Sequence, residues 1–369
     1  MIFRSTYSRP ILLVGNGVRA AGAEELIYTF AHRTHIPVLT TMNGVDLAQD
    51  DIHIGFIGVH GNRIANMITE ECDLVISVGA RLGIRQVGRY SQNFARNADL
   101  IRADIDSYEL SRDIKNREQK YVSDAKEFME KLIAENIPDY TEWGAKCFRA
   151  KELLDKYDKV DGNYAVEKIS SMLPADPIVA VDVGQHECWC AQSLHLKGHH
   201  GRIFISGGYG TMGCGLPYAI GASLALKKRV FCITGDGGFQ MNIQELETVK
   251  RENLPIKIFI LNNRVLGKIS ETQYKDNQGR FAQTTKESGY TVPDFQRISE
   301  AYGIRAATLN TYSELDDYTD WIQDDKACLL NIMLPAKSFL VPKIKWKTSN
   351  IEPNLPDEIE NEVKCILTK

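Results

Sequence analysis

The sequence predicts an α/β chain built from two doubly wound parallel-sheet domains. Three observations predict it. Between residues 10 and 135, short apolar runs alternate with stretches of helical periodicity. Between 230 and 262 the same alternation gives a strand, a helix and a second strand, one βαβ unit. A length of 369 residues suits two ordinary domains better than one.

The first domain, 1–138, opens with the apolar run Pro10-Ile11-Leu12-Leu13-Val14. A helix is expected from about 21 to 35, then a strand over 36–40. A helix near 63–69 leads to a strand over 73–78. Another strand over 100–105 and a helix from about 123 to 135 complete a Rossmann-like sheet. Residues 139–160 are charged and aromatic without a strand pattern, and read as a linker with a helical part. The second domain, 161–340, has strand candidates at 178–182, 203–205, 230–234, 256–261, 305–309 and 327–333. Pro293 sits near the first turn of a helix. The tail, 341–369, carries Pro342, Pro353 and Pro356 with mixed charge and is expected to wrap the surface or a partner.

Composition narrows the function. A net charge of −4, without a basic stripe, gives no footprint for nucleic acid. The eight cysteines form no Cys-x-x-Cys pair, so they read as reduced thiols of a cytoplasmic protein. No apolar run approaches membrane-spanning length, and Met1-Ile2-Phe3-Arg4-Ser5 is no signal peptide. His199-His200 is flanked by glycines with no further metal ligand in context, and reads as a solvated turn.

Chemistry concentrates at two strand ends. Gly235-Asp236-Gly237-Gly238 follows the run Val230–Thr234, and Asn262-Asn263 follows the run 256–261, with 24 residues between Gly237 and Asn262. Both strands of a βαβ unit run the same way. Their carboxyl ends therefore meet at the edge where open α/β sheets bind ligands. An acid and an amide there make a hard-oxygen site suited to Mg²⁺ carrying a diphosphate. Glycines beside Asp236 would let phosphate oxygens come close to the backbone.

These residues resemble the signature of thiamin-diphosphate (ThDP) enzymes, in which Gly-Asp-Gly is followed some two dozen residues later by Asn-Asn. Other segments agree in order. Gly184-Gln185-His186-Glu187-Cys188-Trp189 resembles the Gly-Gln-His-x-x-Trp of acetolactate synthases, and Gly207-Gly208-Tyr209-Gly210-Thr211-Met212-Gly213 their Gly-Gly-Leu-Gly-Thr-Met-Gly. Residues 10–340 are similar to the central and diphosphate-binding domains of that group. The resemblance implies that Asp236, Asn263 and the Val265 carbonyl ligate Mg²⁺. It implies that Gln185 and His186 bond the diphosphate, among the cofactor-binding residues Gly184, Gly210, Gly235, Gly237 and Gly238. It makes Met212 the apolar wedge between the cofactor rings and Arg81 a partner of the substrate carboxylate. The implied activity is decarboxylation of a 2-oxo acid, followed by protonation or by addition to a second carbonyl. The group assembles as oligomers and draws an activating glutamate from a pyrimidine-binding domain. No glutamate here matches that role by motif, so either a separate pyrimidine-domain subunit is the partner or the chain is a truncated product.

Departures from the pattern matter too. Lys268 and Thr272 stand where the synthases carry a Met and a Trp that shape the second-substrate pocket. Either the second substrate is more polar or anionic, or this loop is surface. Gly79-Ala80-Arg81-Leu82-Gly83-Ile84-Arg85 lacks the Asp-Asp pair near the flavin, so FAD is not expected. Gly15-Asn16-Gly17 lacks a complete dinucleotide fingerprint and reads as a helix-start turn. Two rival readings remain: a non-catalytic ThDP- or nucleotide-binding assembly module, and a nicotinamide-dependent dehydrogenase resting on fold analogy alone.

Overall fold

The computed structural model describes residues 6–49, 51–345 and 350–368. Met1–Ser5, read above as no signal peptide, lie outside the described residues. The chain divides into two units, residues 1–158 with 341–369, and residues 159–340.

The first unit holds a six-stranded sheet. Its strands are β1 (Pro10–Val14), β2 (Val38–Thr40), β3 (His53–Phe56), β4 (Leu74–Val78), β5 (Asp99–Asp104) and β6 (Glu118–Val122), in the order β3-β2-β1-β4-β5-β6. Every pairing is parallel. β1 and β4 are central and buried along their whole length, which is why both read as continuous apolar runs. At the turns after these two strands, a Cβ on Gly15 would lie 2.4 Å from the Gly79 carbonyl oxygen, and one on Gly17 2.7 Å from Gly79 Cα. These glycines let the two turns pack together.

Two segments differ from the expected boundaries. Residues 139–160, expected as a linker with a helical part, form a Thr141–Leu154 helix that belongs to the first unit. Its Trp143, Cys147, Ala150 and Leu154 are buried in that core, and Trp143 Nε1 donates to the Pro10 carbonyl at 3.0 Å. The proline-rich tail is not a loose wrap. Its Asp357–Thr368 helix buries Val363 and Leu367 in the same core. Arg63 pins both segments, donating to Asp158 and to the Pro353 carbonyl at 2.7 Å each.

The second unit holds β7 (Ile178–Val181), β8 (Arg202–Ile205), β9 (Val230–Gly235), β10 (Ile256–Asn262), β11 (Arg305–Leu309) and β12 (Cys328–Met333), in the order β11-β12-β10-β9-β7-β8. These pairings are also all parallel. The chain goes from β7 to β8 on one side and then returns to β9 on the other. The strand order therefore reverses between β7 and β9, the place where a crevice opens beyond the carboxyl ends of the strands. Apolar side chains of β7, β9 and β10, with Phe239 and Phe295 in edge-on contact, fill a core beneath it.

Candidate functional site

β9 ends at Gly235 and the Asp236–Met241 helix begins at once. β10, paired with Leu261 opposite Gly235, ends at Asn262. Asp236 and Asn263 therefore leave the sheet as neighbours. The Asn263 backbone N–H donates to the Asp236 carboxylate. Arg264 N–H donates to Oδ2 at 2.7 Å, and the Tyr290 hydroxyl donates to Oδ1 at 2.7 Å. Arg264 has φ +58°, the left-handed turn that follows the strand. Asp236 is 2 % exposed. Burial pushes its carboxyl up to about 6, against the pull of these donors.

Past β7, Gln185 and His186 open the Gln185–Ser193 helix, and both are buried. Gln185 Oε1 accepts from Asn263 Nδ2 at 3.0 Å, while Asn263 Oδ1 accepts from Val265 N–H at 3.3 Å. The His186 ring bonds the Asp182 backbone and leaves Nε2 buried without a partner. Burial, then the Lys268 charge, pushes this imidazole down to about 3, so it is neutral near pH 7.

Gln185, His186, Met212, Asp236, Asn263 and Val265 line one cavity of about 220 Å³, together with Gly184, Gly210, Gly235, Gly237 and Gly238. The Met212 methyl lies 3.5 Å from where a Cβ on Gly237 would sit. The smallness of the glycines is used by protein side chains. A Cβ on Gly235 would meet the His186 ring at 2.9 Å, and one on Gly237 would meet Leu266 Cδ2 at 2.7 Å. Gly210 has φ +65°, a conformation that favours glycine. Arg81 belongs to the first unit, where its exposed guanidinium pairs with Glu109 at 2.8 Å. His199 and His200 are exposed, in a bend as expected.

Sequence reasoning missed four residues here. Asp182, the last residue of its apolar run, is 1 % exposed and bonds Gly213 N–H at 2.8 Å and Thr234 Oγ1 at 3.1 Å. It ties the Met212 loop to β9, and its place at a strand's carboxyl end was the available signal. Glu187 is buried and pairs with Lys268, a cavity-lining residue, at 2.8 Å. Tyr290 and Glu271 carried no motif. Among the described residues, no cluster of three or more His, Cys, Asp or Glu side chains is placed to hold a metal ion. A cation here would depend on one carboxylate, one amide and backbone or ligand oxygens.

Family models match both units. Residues 182–332 match the thiamine pyrophosphate enzyme C-terminal TPP binding domain, and residues 5–132 match the thiamine pyrophosphate enzyme central domain. The chain belongs to the thiamine pyrophosphate enzyme family. It is 35 % identical over 355 residues to the acetolactate synthase isozyme 2 large subunit of Escherichia coli, an alignment covering 93 % of this chain and 63 % of the relative. It is 31 % identical over 350 residues to the acetolactate synthase large subunit of Lactococcus lactis, covering 92 % and 60 %. A probable acetolactate synthase large subunit of Methanocaldococcus jannaschii is 34 % identical over 370 residues, covering 94 % and 61 %. The chain thus spans less than two thirds of the length of these relatives. In this family, the two parallel sheets are the central and TPP-binding domains, and the cavity at the end of β7, β9 and β10 lies within the matched TPP-binding domain. Among the described residues, no helix is long and apolar enough to cross a membrane.

Proposed function

We propose that the chain is part of a ThDP- and Mg²⁺-dependent enzyme of the acetolactate-synthase-like group, acting on a 2-oxo acid by decarboxylation or carboligation. One observation carries this reading. The Asp236 carboxylate accepts from the Asn263 backbone N–H, and both residues line a cavity that Gln185 and His186 also line. The donors that reach Asp236 from Arg264 and Tyr290 are neutral, so a buried carboxylate there gains from a divalent cation. His186 Nε2 is a buried polar atom with no partner, and an anionic diphosphate beside it would favour the protonated ring, whose Nε2–H can donate to a phosphate oxygen.

Asp236, Asn263 and the Val265 carbonyl would hold Mg²⁺, Gln185 and His186 would contact the diphosphate, and Met212 would sit between the two rings. Bound there, the cofactor supplies the electron sink that lets a 2-oxo acid lose carbon dioxide. The chain's own residues orient that cofactor and exclude water from the diphosphate end, where Asp236, Gln185 and Asn263 are all buried. Lys268, held by Glu187 in the cavity wall, favours a polar or anionic second substrate. Arg81 remains a proposed contact for the substrate carboxylate. The activating glutamate would come from a pyrimidine-binding region outside these 369 residues, within a homo-oligomer or on a second kind of subunit.

Calorimetric titration with ThDP and Mg²⁺ tests the reading. Saturable heat is expected for the wild-type chain and its loss for Asp236→Ala. An absence of heat with the wild type, or equal heat with the variant, overturns it. Mixing the chain with a candidate pyrimidine-domain protein tests the partner: carbon dioxide release from a 2-oxo acid is expected only in the mixture.

A further inference from the structure

We infer that Glu271 is a positioning residue of the metal site, fixing which way the Gln185 and Asn263 amides face so that the Asn263 oxygen is left for the cation. The inference rests on the reading of Asp236 and Asn263 as cation ligands.

Glu271 lies on the Gly267–Lys275 helix and is 3 % exposed. Its Oε2 accepts from the Leu340 backbone N–H at 3.0 Å and from Gln185 Nε2 at 3.2 Å. Its Oε1 accepts from Lys275 Nζ at 2.8 Å. A backbone N–H and an ammonium can only donate. Glu271 is therefore an acceptor at both oxygens, and Gln185 must turn its NH₂ group towards it. The Gln185 oxygen then faces Asn263 and takes the Asn263 Nδ2 donor at 3.0 Å. This leaves the Asn263 oxygen on the opposite side of its amide, where Val265 N–H reaches it at a long 3.3 Å.

An amide's oxygen and nitrogen are nearly alike in size and shape, so packing alone selects poorly between the two orientations. Hydrogen-bond polarity does select. Here that polarity passes from Leu340 and Lys275 through Glu271 to Gln185 and then to Asn263. Gln185 and Asn263 are themselves buried, so water offers no easy alternative partner. The helix bearing Glu271 sits hard against this chain of bonds: a Cβ on Gly267 would lie 1.9 Å from Gln185 Oε1. With the amides reversed, Asn263 would present N–H groups to a hard cation that takes oxygen ligands. Glu271 would not touch the cation, and would act on it through two amides.

The test is a calorimetric titration of Mg²⁺ into the full chain at saturating ThDP, with circular dichroism and the melting temperature as controls for folding. Glu271→Leu is expected to weaken Mg²⁺ binding roughly tenfold or more. Glu271→Gln can still offer one oxygen to both Leu340 N–H and Gln185, and is expected to bind within about threefold of wild type. Asp236→Ala serves as the reference and is expected to lose Mg²⁺ binding. Wild-type Mg²⁺ affinity in Glu271→Leu, with Asp236→Ala defective, overturns the Glu271 assignment alone. Wild-type affinity in Asp236→Ala overturns the metal-site reading beneath it. Should Glu271→Leu fail to fold, nitrogen-15 NMR of the wild type decides. The Asn263 side-chain NH₂ is expected to stay protected from exchange with and without Mg²⁺ and ThDP, and rapid exchange in both states overturns the assignment.

Discussion

The Tyr290 hydroxyl donates to Asp236 Oδ1 across 2.7 Å, joining residues 54 positions apart in the chain. Gln240 Nε2 in turn approaches the phenol oxygen at 3.4 Å. The bond holds one carboxylate oxygen in place and lowers the cost of its buried charge. Tyr290→Phe should fold normally and bind Mg²⁺ with ThDP less tightly. A loss of about 1 kcal/mol, or roughly fivefold in affinity, is the expected scale for one such bond. Calorimetry on the variant measures it, and unchanged affinity would show that Tyr290 does not pre-position Asp236.

Burial holds the Asp236 carboxyl at about 6, above its ordinary value of 3.8. The sign follows from proton binding. Between these two values the folded ligand-free chain binds more protons at this site than the unfolded chain does. This group's contribution to stability therefore falls as pH rises from about 4 to about 6, and its cost is fully present at pH 7. Relative to Asp236→Asn, the ligand-free wild type should gain on the order of 1–2 kcal/mol when pH is lowered from 7 to 4.5. Mg²⁺ binding should show the opposite trend, weakening as protons compete for the carboxylate below about pH 6. Paired melting curves and Mg²⁺ titrations over this range give both slopes. A difference between the two proteins that does not change with pH would contradict the first.

Glu187 is almost wholly buried, and its Oε2 is paired with Lys268, whose side chain is 31 % exposed. The other oxygen, Oε1, has no partner. Lys268→Met would restore the apolar residue found in the resembled synthases but strand this carboxylate. Removing one partner of a buried pair costs far more than the pair is worth. With the partial exposure of Lys268, a loss of roughly 2 kcal/mol is expected in urea unfolding. Lys268→Met combined with Glu187→Gln should recover most of it. A fully additive double mutant would show that the pair is not coupled.

Strands whose two faces are both covered were the legible ones. All seven residues of β10 are buried, so its composition alone marks it. β6 reads Glu-Gln-Lys-Tyr-Val and lies at a sheet edge with mostly exposed or half-exposed side chains, so no apolar pattern announces it. β3 is short, and a glycine interrupts it. The Thr141–Leu154 helix was legible only as the helical part of a linker, because its buried face is spread among charged residues. At the site, Asp236 and Asn263 were legible because strand ends bring them together and their motif is specific. Tyr290 and Glu271 were not. Their roles depend on contacts that only the tertiary fold creates, such as the 86-residue separation between Gln185 and Glu271.

Two glycine substitutions separate close packing from helix propensity. Gly267 begins its helix, so alanine brings little propensity gain there. A Cβ at this position would lie 1.9 Å from Gln185 Oε1 and 2.4 Å from Gln185 Cδ. Neither a rotamer change nor a small shift of the helix can absorb that overlap without moving Gln185 away from Asn263 and Glu271. Gly267→Ala should therefore leave the sheet intact but lower affinity for Mg²⁺ and ThDP by about tenfold or more. Gly221 lies inside the Gly215–Leu226 helix, is exposed, and has nothing within 4 Å of a built Cβ. Gly221→Ala should raise stability by about 0.5–1 kcal/mol with cofactor affinity unchanged. Thermal unfolding and cofactor titration on both variants check the pair. Equal cofactor binding in Gly267→Ala and wild type would mean that the contact between Gln185 and the Gly267 helix does not govern the site.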